Sequence, residues 1–417
     1  MRKALSLVLG VFAFSTVLLT EAQAVPAFAR QTGMACASCH FQNFPALNSF
    51  GRVFRSQGYT MRGAAPLVEG DDLSIPADLK ASVITKIRYQ LSEGNDGGRG
   101  EIQWPDEAAL LVGGRASETV GFLLELGMGP QEAETNLDTN GDGVVDAADD
   151  STVVGDVTGN FLSAKFHFNL GDHFAVIPFS TDGLGVGYSF ELMNTGVQRS
   201  QRPIENRSGF SAHQALGLAS GGATGLAFIY HNSNVFVNYS HWAPTWGNVN
   251  ANIFGGLAHY LRAAYMPNIG GWDTGIGFSY MDGSIDTGAT DAVKETTNVS
   301  GWGIDAQAQG QVGTMPLGIY ASYAVAPKGT AADPEFYNSS ISDDKVSYGM
   351  TAKLGVLPNK AQLYAAYASI DDGTDNNTDT TVGLQYMAAQ NIKLELFNVA
   401  RNNNRDGYSM LMMSAGF

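Results

Sequence analysis

Cys36-Ala37-Ser38-Cys39-His40 is the spacing that attaches a haem covalently: two thiols two residues apart and a histidine immediately after. The thiols add to the two vinyl groups of one macrocycle, and His40 is then placed to ligate the iron from one side. A thioredoxin-like pair would need a surrounding βαβ unit, which the flanking sequence does not suggest. A structural zinc site would need two more nearby ligands, yet the next histidine is His167 and no other cysteine exists. One motif implies one haem c and one one-electron centre. The second axial ligand stays open. Met61 follows an expected helix over 45–57 and has the reach to return to the free iron face. Met34 lies two residues before the motif, and a histidine from elsewhere in the chain is the remaining alternative. Arg52 and Arg55 are candidate partners for the haem propionates, with solvated surface arginines as the plainer reading.

A second constellation lies further on. Asp138, Asn140, Asp142, Val144, Asp146 and Asp149 occupy the ligand positions of a twelve-residue calcium loop, with Gly143 at the turn and the Val144 carbonyl at the seventh position. The last position carries Asp rather than Glu, and no helix pair flanks it. An isolated Ca2+-stiffened loop is expected, against the alternative of an acidic loop that binds ions loosely. From Pro130 to Asp156 there are eight acids and no Lys or Arg.

These residues need elements to hold them. Residues 1–24 read as a secretory signal peptide: Arg2 and Lys3, an apolar run to Leu19, and the small-x-small site Ala22-Gln23-Ala24. Residues 25–77 are expected to form a small, mostly helical cytochrome domain, with Phe41, Phe44, Leu47, Phe50, Val53 and Phe54 on one helix face. So short a segment makes a poor core alone. The haem, or a wall to dock against, has to complete it.

Residues 78–417 change texture. Val346, Tyr348, Met350, Ala352, Leu354 and Val356 alternate with Lys345, Ser347, Gly349, Thr351, Lys353 and Gly355. The stretches 80–91 and 120–128 alternate likewise, and Lys80, Lys86, Arg88 and Lys165 fall on the polar face. Segments of about ten residues with this period are the signature of a transmembrane β-barrel. Seven short connections alternate with eight long ones, the latter near 92–106, 129–157, 182–221, 243–254, 284–299, 328–344, 371–379 and 402–407. That rhythm predicts an all-β, sixteen-stranded antiparallel barrel in outer-membrane lipid, with both chain ends on the periplasmic side. Trp242, Trp272, Trp302, Tyr260 and Tyr265 are available for its interfacial aromatic belts. Charged residues are only 15% of the chain and the net charge is −16, so no basic stripe exists for nucleic acid.

Pro26-Ala27-Phe28-Ala29-Arg30-Gln31-Thr32-Gly33, the haem motif, and Phe44-Pro45-Ala46-Leu47-Asn48-Ser49-Phe50-Gly51-Arg52 together resemble the outer-membrane cytochrome–porin fusions that oxidise ferrous iron in iron-oxidising bacteria. The terminal Phe417, with Leu411, Met413 and Ala415 at alternate positions, resembles the end signal of outer-membrane barrels. The N-terminal stretch is distinctive, whereas the barrel portion matches in layout only. By that resemblance Cys36, Cys39 and His40 carry the haem, external Fe(II) is the electron donor, and a periplasmic cytochrome is the acceptor. Rival readings are an outward-running conduit, a diffusion porin gated by its cytochrome, and a periplasmic cytochrome with a soluble β domain. A basic lumen lining would suit anion passage in the porin reading.

Overall fold

The computed structural model describes residues 27–63, 66–69, 74–77, 80–92, 100–128, 160–204, 211–244, 257–286 and 296–417. The expected signal peptide and the calcium-type loop at 138–149 lie outside them.

Sixteen strands close into one antiparallel barrel. They are β1 Ala81–Ser92, β2 Gly100–Arg115, β3 Val120–Gly127, β4 Asn160–Asn169, β5 Phe174–Thr181, β6 Ala223–His231, β7 Val235–Ala243, β8 Ala258–Tyr265, β9 Trp272–Asp286, β10 Gly301–Val312, β11 Met315–Ala326, β12 Lys345–Leu357, β13 Ala361–Asp371, β14 Asn376–Ala389, β15 Ile392–Arg401 and β16 Tyr408–Gly416. Strand β16 pairs with β1 from Tyr408↔Ser92 to Gly416↔Ile84, and Phe417 and Val83 exchange backbone bonds of 2.8 and 2.9 Å. Closure leaves no unpaired strand edge, which a hydrocarbon environment requires. No helix among the described residues is long and apolar enough to cross a membrane.

The alternation sorts side chains in the inverse of a soluble protein. On β10, Gly303, Asp305, Gln307 and Gln309 are buried inward, while Trp302 and Ile304 are exposed outward. On β12, Ser347, Thr351 and Lys353 face in, and Tyr348 and Met350 face out. Polar residues line the lumen and apolar ones meet lipid. The aromatic belt follows this rule only in part. Trp302 and Tyr265 are exposed on the outside, and Trp272 lies over Gly310 on the same face. Trp242 and Tyr260, expected in the belt, are instead wholly buried, because their positions on β7 and β8 point inward.

They point inward onto a core that fills the lumen. The long connection from β5 to β6 folds into the barrel, where Val186, Tyr188, Phe190, Leu192 and Met193 pack with Ile177, Phe236, Trp242 and Tyr260 of the wall. Farther along it, Ile204 reaches the opposite wall at Tyr364, Phe397, Met410 and Met412. Ion pairs pin its middle: Arg262 of β8 meets Glu191 at 3.1 Å and Asp305 of β10 at 2.7 Å, all three with no exposed side-chain surface. A buried guanidinium between two carboxylates is tolerable only when its partners are this close.

Candidate functional site

The haem motif lies in a compact N-terminal segment with three short helices: α1 Ala27–Thr32, α2 Cys36–Cys39 and α3 Ser49–Ser56. The expected helix over 45–57 is shorter than its apolar pattern suggested. Asn48 caps α3, its side chain accepting from Gly51 N at 2.9 Å, and the preceding chain doubles back. Phe41 N donates to Ala46 O at 2.8 Å, and His40 bridges to Leu47. Phe41, Phe44 and Leu47 therefore leave the helix and turn to the barrel. The helices share a small core in which the Phe28 ring stacks on Tyr59 at 4.5 Å and meets Phe54 edge-on at 5.3 Å. Gly51 is obligatory, because a Cβ there would collide with the Cys39 carbonyl.

Helix α2 puts Cys36 and Cys39 one turn apart on the same face, as attachment to a single macrocycle requires. Burial raises both thiols, so they stand protonated at neutral pH. His40 Nδ1 lies 3.3 Å from the Ala46 carbonyl. In the tautomer that donates this bond, Nε2 keeps the lone pair an iron ligand must present. Burial lowers the imidazole to about 4, which keeps it neutral. Cys36, Cys39 and His40 all retain partial exposure, and Met34 beside them is exposed. Two thiols on one face, one oriented imidazole and an open side fit a covalently attached haem.

The remaining candidates are placed as follows. The Met61 carbonyl accepts from Gln31 Nε2 at 3.0 Å, and Tyr59 O accepts from the same nitrogen at 2.6 Å, so the chain after α3 is folded back onto α1. Arg52 is buried and Arg55 half-buried, and both are engaged within the protein. Arg52 pairs with Asp273 of β9 at 2.5 Å, and Arg55 donates to Gln201 at 2.5 Å and to Gln198. His167 is buried with its ring against Gly58, and His213 lies on the inner loop against Gly303 of β10. Among the described residues no three His, Cys, Asp or Glu side chains converge as a ready metal site.

Residues 27–63 sit inside the short-connection end of the barrel. Ala27 N bonds Ser82 Oγ on β1, and Arg115 N of β2 donates to Gln31 at 3.0 Å. Asn169 of β4 donates to Gln57 O at 3.1 Å, Gln309 of β10 to Leu47 O at 3.1 Å, and Lys393 of β15 to Phe44 O at 3.1 Å. With Asp273 of β9, each of these partners lies within a few residues of the short-connection end of its strand. From the other side the inner loop meets the same segment: Asn194 and Leu47 exchange two hydrogen bonds, of 2.8 and 3.1 Å. The lumen is thus occupied from both ends. Its basic residues are engaged within the protein: Lys86 bonds Glu107, Arg88 meets Asp106 at 2.6 Å, and Lys165 donates to Tyr188 O at 2.9 Å. Sequence reading missed Asp273, Asn194, Gln309 and Lys393. Asp273, Gln309 and Lys393 look like ordinary lumen lining and Asn194 like part of a long connection, and each has its partner more than a hundred residues away.

No protein-family model and no curated protein sequence matches the chain. Among solved structures, OprB of Pseudomonas putida at high pH superposes with a TM-score of 0.53 at 13% identity, over 82% of this chain and 94% of OprB. A loop-deletion mutant of OmpT, an outer membrane protein of Vibrio cholerae, gives 0.46 at 11% identity, over 82% and 99%. A refined porin gives 0.46 at 14% identity, over 82% and 100%. At such identities the likeness to OprB speaks for fold alone: the chain is a porin-like outer-membrane β-barrel.

Proposed function

We propose that this barrel oxidises extracellular Fe(II) by one-electron transfer to a single haem c on Cys36, Cys39 and His40, and that the electron leaves to a periplasmic cytochrome. The observation that carries the reading is the seating of the Cys-x-x-Cys-His segment in the short-connection mouth of a closed barrel, held by residues of β1, β2, β4, β9, β10 and β15. When bound, the haem supplies the one-electron acceptor, a chemistry no side chain of the chain provides. Cys36 and Cys39 would fix it on one side of α2. His40 would ligate the iron through Nε2, oriented by the Ala46 carbonyl at Nδ1, a bond that also raises ligand basicity. The barrel grips the chain on both sides of that carbonyl, through Phe44 O and Leu47 O. Each Fe(II) yields one Fe(III) and one electron, with no proton to be moved by a protein acid or base.

The sequence resemblance to the iron-oxidising cytochrome–porin fusions supports the same reading. An acidic exterior raises the local concentration of a divalent cation. Calcium binding at Asp138, Asn140, Asp142, Val144, Asp146 and Asp149 is proposed on ligand spacing alone.

The test is stopped-flow absorbance at the Soret band, mixing purified oxidised protein anaerobically with ferrous iron. Rapid one-electron reduction, absent in a His40→Ala variant whose barrel still folds, is the expected result. A haem left oxidised by ferrous iron but reduced by small periplasmic donors would refute iron oxidation and favour an outward conduit.

A further inference from the structure

The outer face of the barrel carries a row of residues that neither lipid contact nor the lumen explains. His241 on β7, His259 on β8 and Asp282 on β9 stand side by side: His259 is the register partner of His241 on one side and of Asp282 on the other. Their chain neighbours Trp242, Tyr260 and Met281 are all buried inward, so these three project outward. They lie next to the long-connection ends of β7 and β8. Toward the membrane centre the same face continues as Tyr239, Tyr280 and Trp302, all exposed aromatics of the kind that mark a membrane–water interface. A carboxylate such as Asp282 is costly on a lipid-facing position except near the interface, so the row belongs on the watery side of that belt.

We propose that His241, His259 and Asp282 form a binding site for a divalent transition-metal ion at the external rim. The two imidazole rings are 4.7 Å apart between centroids and inclined at 69°. Directly opposed residues on neighbouring strands are about 5 Å apart at Cβ, so two imidazoles reach one ion at about 2.1 Å without backbone movement. The Tyr239 hydroxyl is 2.9 Å from His259 Nδ1. When Nδ1–H donates to it, Nε2 is left as the metal-binding lone pair, and the tyrosine serves as the partner that orients the ligand. The exposed Asp282 side chain completes the set by a rotamer change. Two imidazoles and one carboxylate suit borderline ions such as Zn(II), Co(II) and Fe(II), and select against Ca(II) and Mg(II), which prefer all-oxygen sites. The site lies at the opposite end of the barrel from Cys36 and does not depend on the haem reading.

The experiment is a Co(II) titration of chelator-treated, full-length protein in detergent, followed by visible absorbance and by calorimetry. We expect one saturable site whose ligand-field bands vanish in His241→Gln and in His259→Gln. Affinity should fall about tenfold in Tyr239→Phe, the usual scale for removing an orienting partner. His173→Gln should leave binding unchanged, since His173 and His231 form the other close histidine pair, near the opposite rim. All these side chains except His231 face outward or lie exposed at a connection, and heat-modifiable electrophoretic mobility reports that each barrel is folded. Undiminished Co(II) binding in the double His241→Gln, His259→Gln variant would overturn the proposal. So would loss of binding in His173→Gln, or a wild-type protein that binds no Co(II).

Discussion

Arg52 of α3 and Asp273 at the start of β9 form an ion pair of 2.5 Å, with only 5% and 17% of their side chains exposed. It joins the segment that carries the haem motif to a strand more than two hundred residues away, inside a barrel mouth where water is scarce. Breaking one member of a buried pair leaves the other charge uncompensated, which costs about 3 kcal/mol. Asp273→Asn should therefore loosen residues 27–63 without unfolding the barrel. Hydrogen exchange should rise over α1 to α3 while heat-modifiable mobility is kept. Unchanged exchange there would show that the other wall contacts suffice.

Lys393 lies close enough to His40 for its charge to act on the imidazole. Its ammonium donates to Phe44 O at 3.1 Å, stands 4.5 Å from the Phe44 ring and pairs with Glu395 at 2.8 Å. Removing that positive charge disfavours the reduced state of a nearby redox centre. On the proposed function, Lys393→Met should lower the haem midpoint potential, and Lys393→Arg should largely restore it. Spectroelectrochemical titration of the three proteins measures this directly.

The filled lumen predicts poor conduction. Wild-type protein in planar bilayers should show far lower ion conductance than an open sixteen-strand porin. A variant lacking residues 27–63 should conduct more, because contacts with six strands and with Asn194 are lost together. Equal currents from both would mean that the inner loop alone seals the barrel, around the Glu191–Arg262–Asp305 cluster.

Burial of His213 on the inner loop holds its imidazole at about 4, below the ordinary 6.5. Between those values the unfolded chain takes up a proton that the folded one refuses. The contribution to stability is therefore full above pH 6.5 and is lost as pH falls toward 4. Denaturant unfolding followed across this window should show a shallower acid limb in His213→Gln than in wild type. The slope is the readout, since the substitution also changes packing against Gly303.

Much of this protein was legible in its sequence because the informative patterns are local. A two-residue alternation needs only the pleat to sort lipid-facing from lumen-facing residues, and the alternation of short and long connections counted sixteen strands. The Cys36, Cys39 and His40 spacing is likewise a property of one helical turn. Asn48 was legible in principle as a cap that ends the apolar run before α3, and the longer helix expectation overlooked it.

What only the tertiary structure decided is where the two ends of the sequence pattern meet. Local alternation puts Asp273, Lys393 and Gln309 on the lumen side of their strands, but it cannot say whether that side faces water or protein. Closing the barrel around the inner loop and residues 27–63 answers this, since polar groups removed from water must find partners and the partners arrive from distant parts of the chain. The pairing of Arg52 with Asp273, of Leu47 with Asn194, and of His241 with His259 follows from strand register and loop path. No short stretch of sequence encodes these.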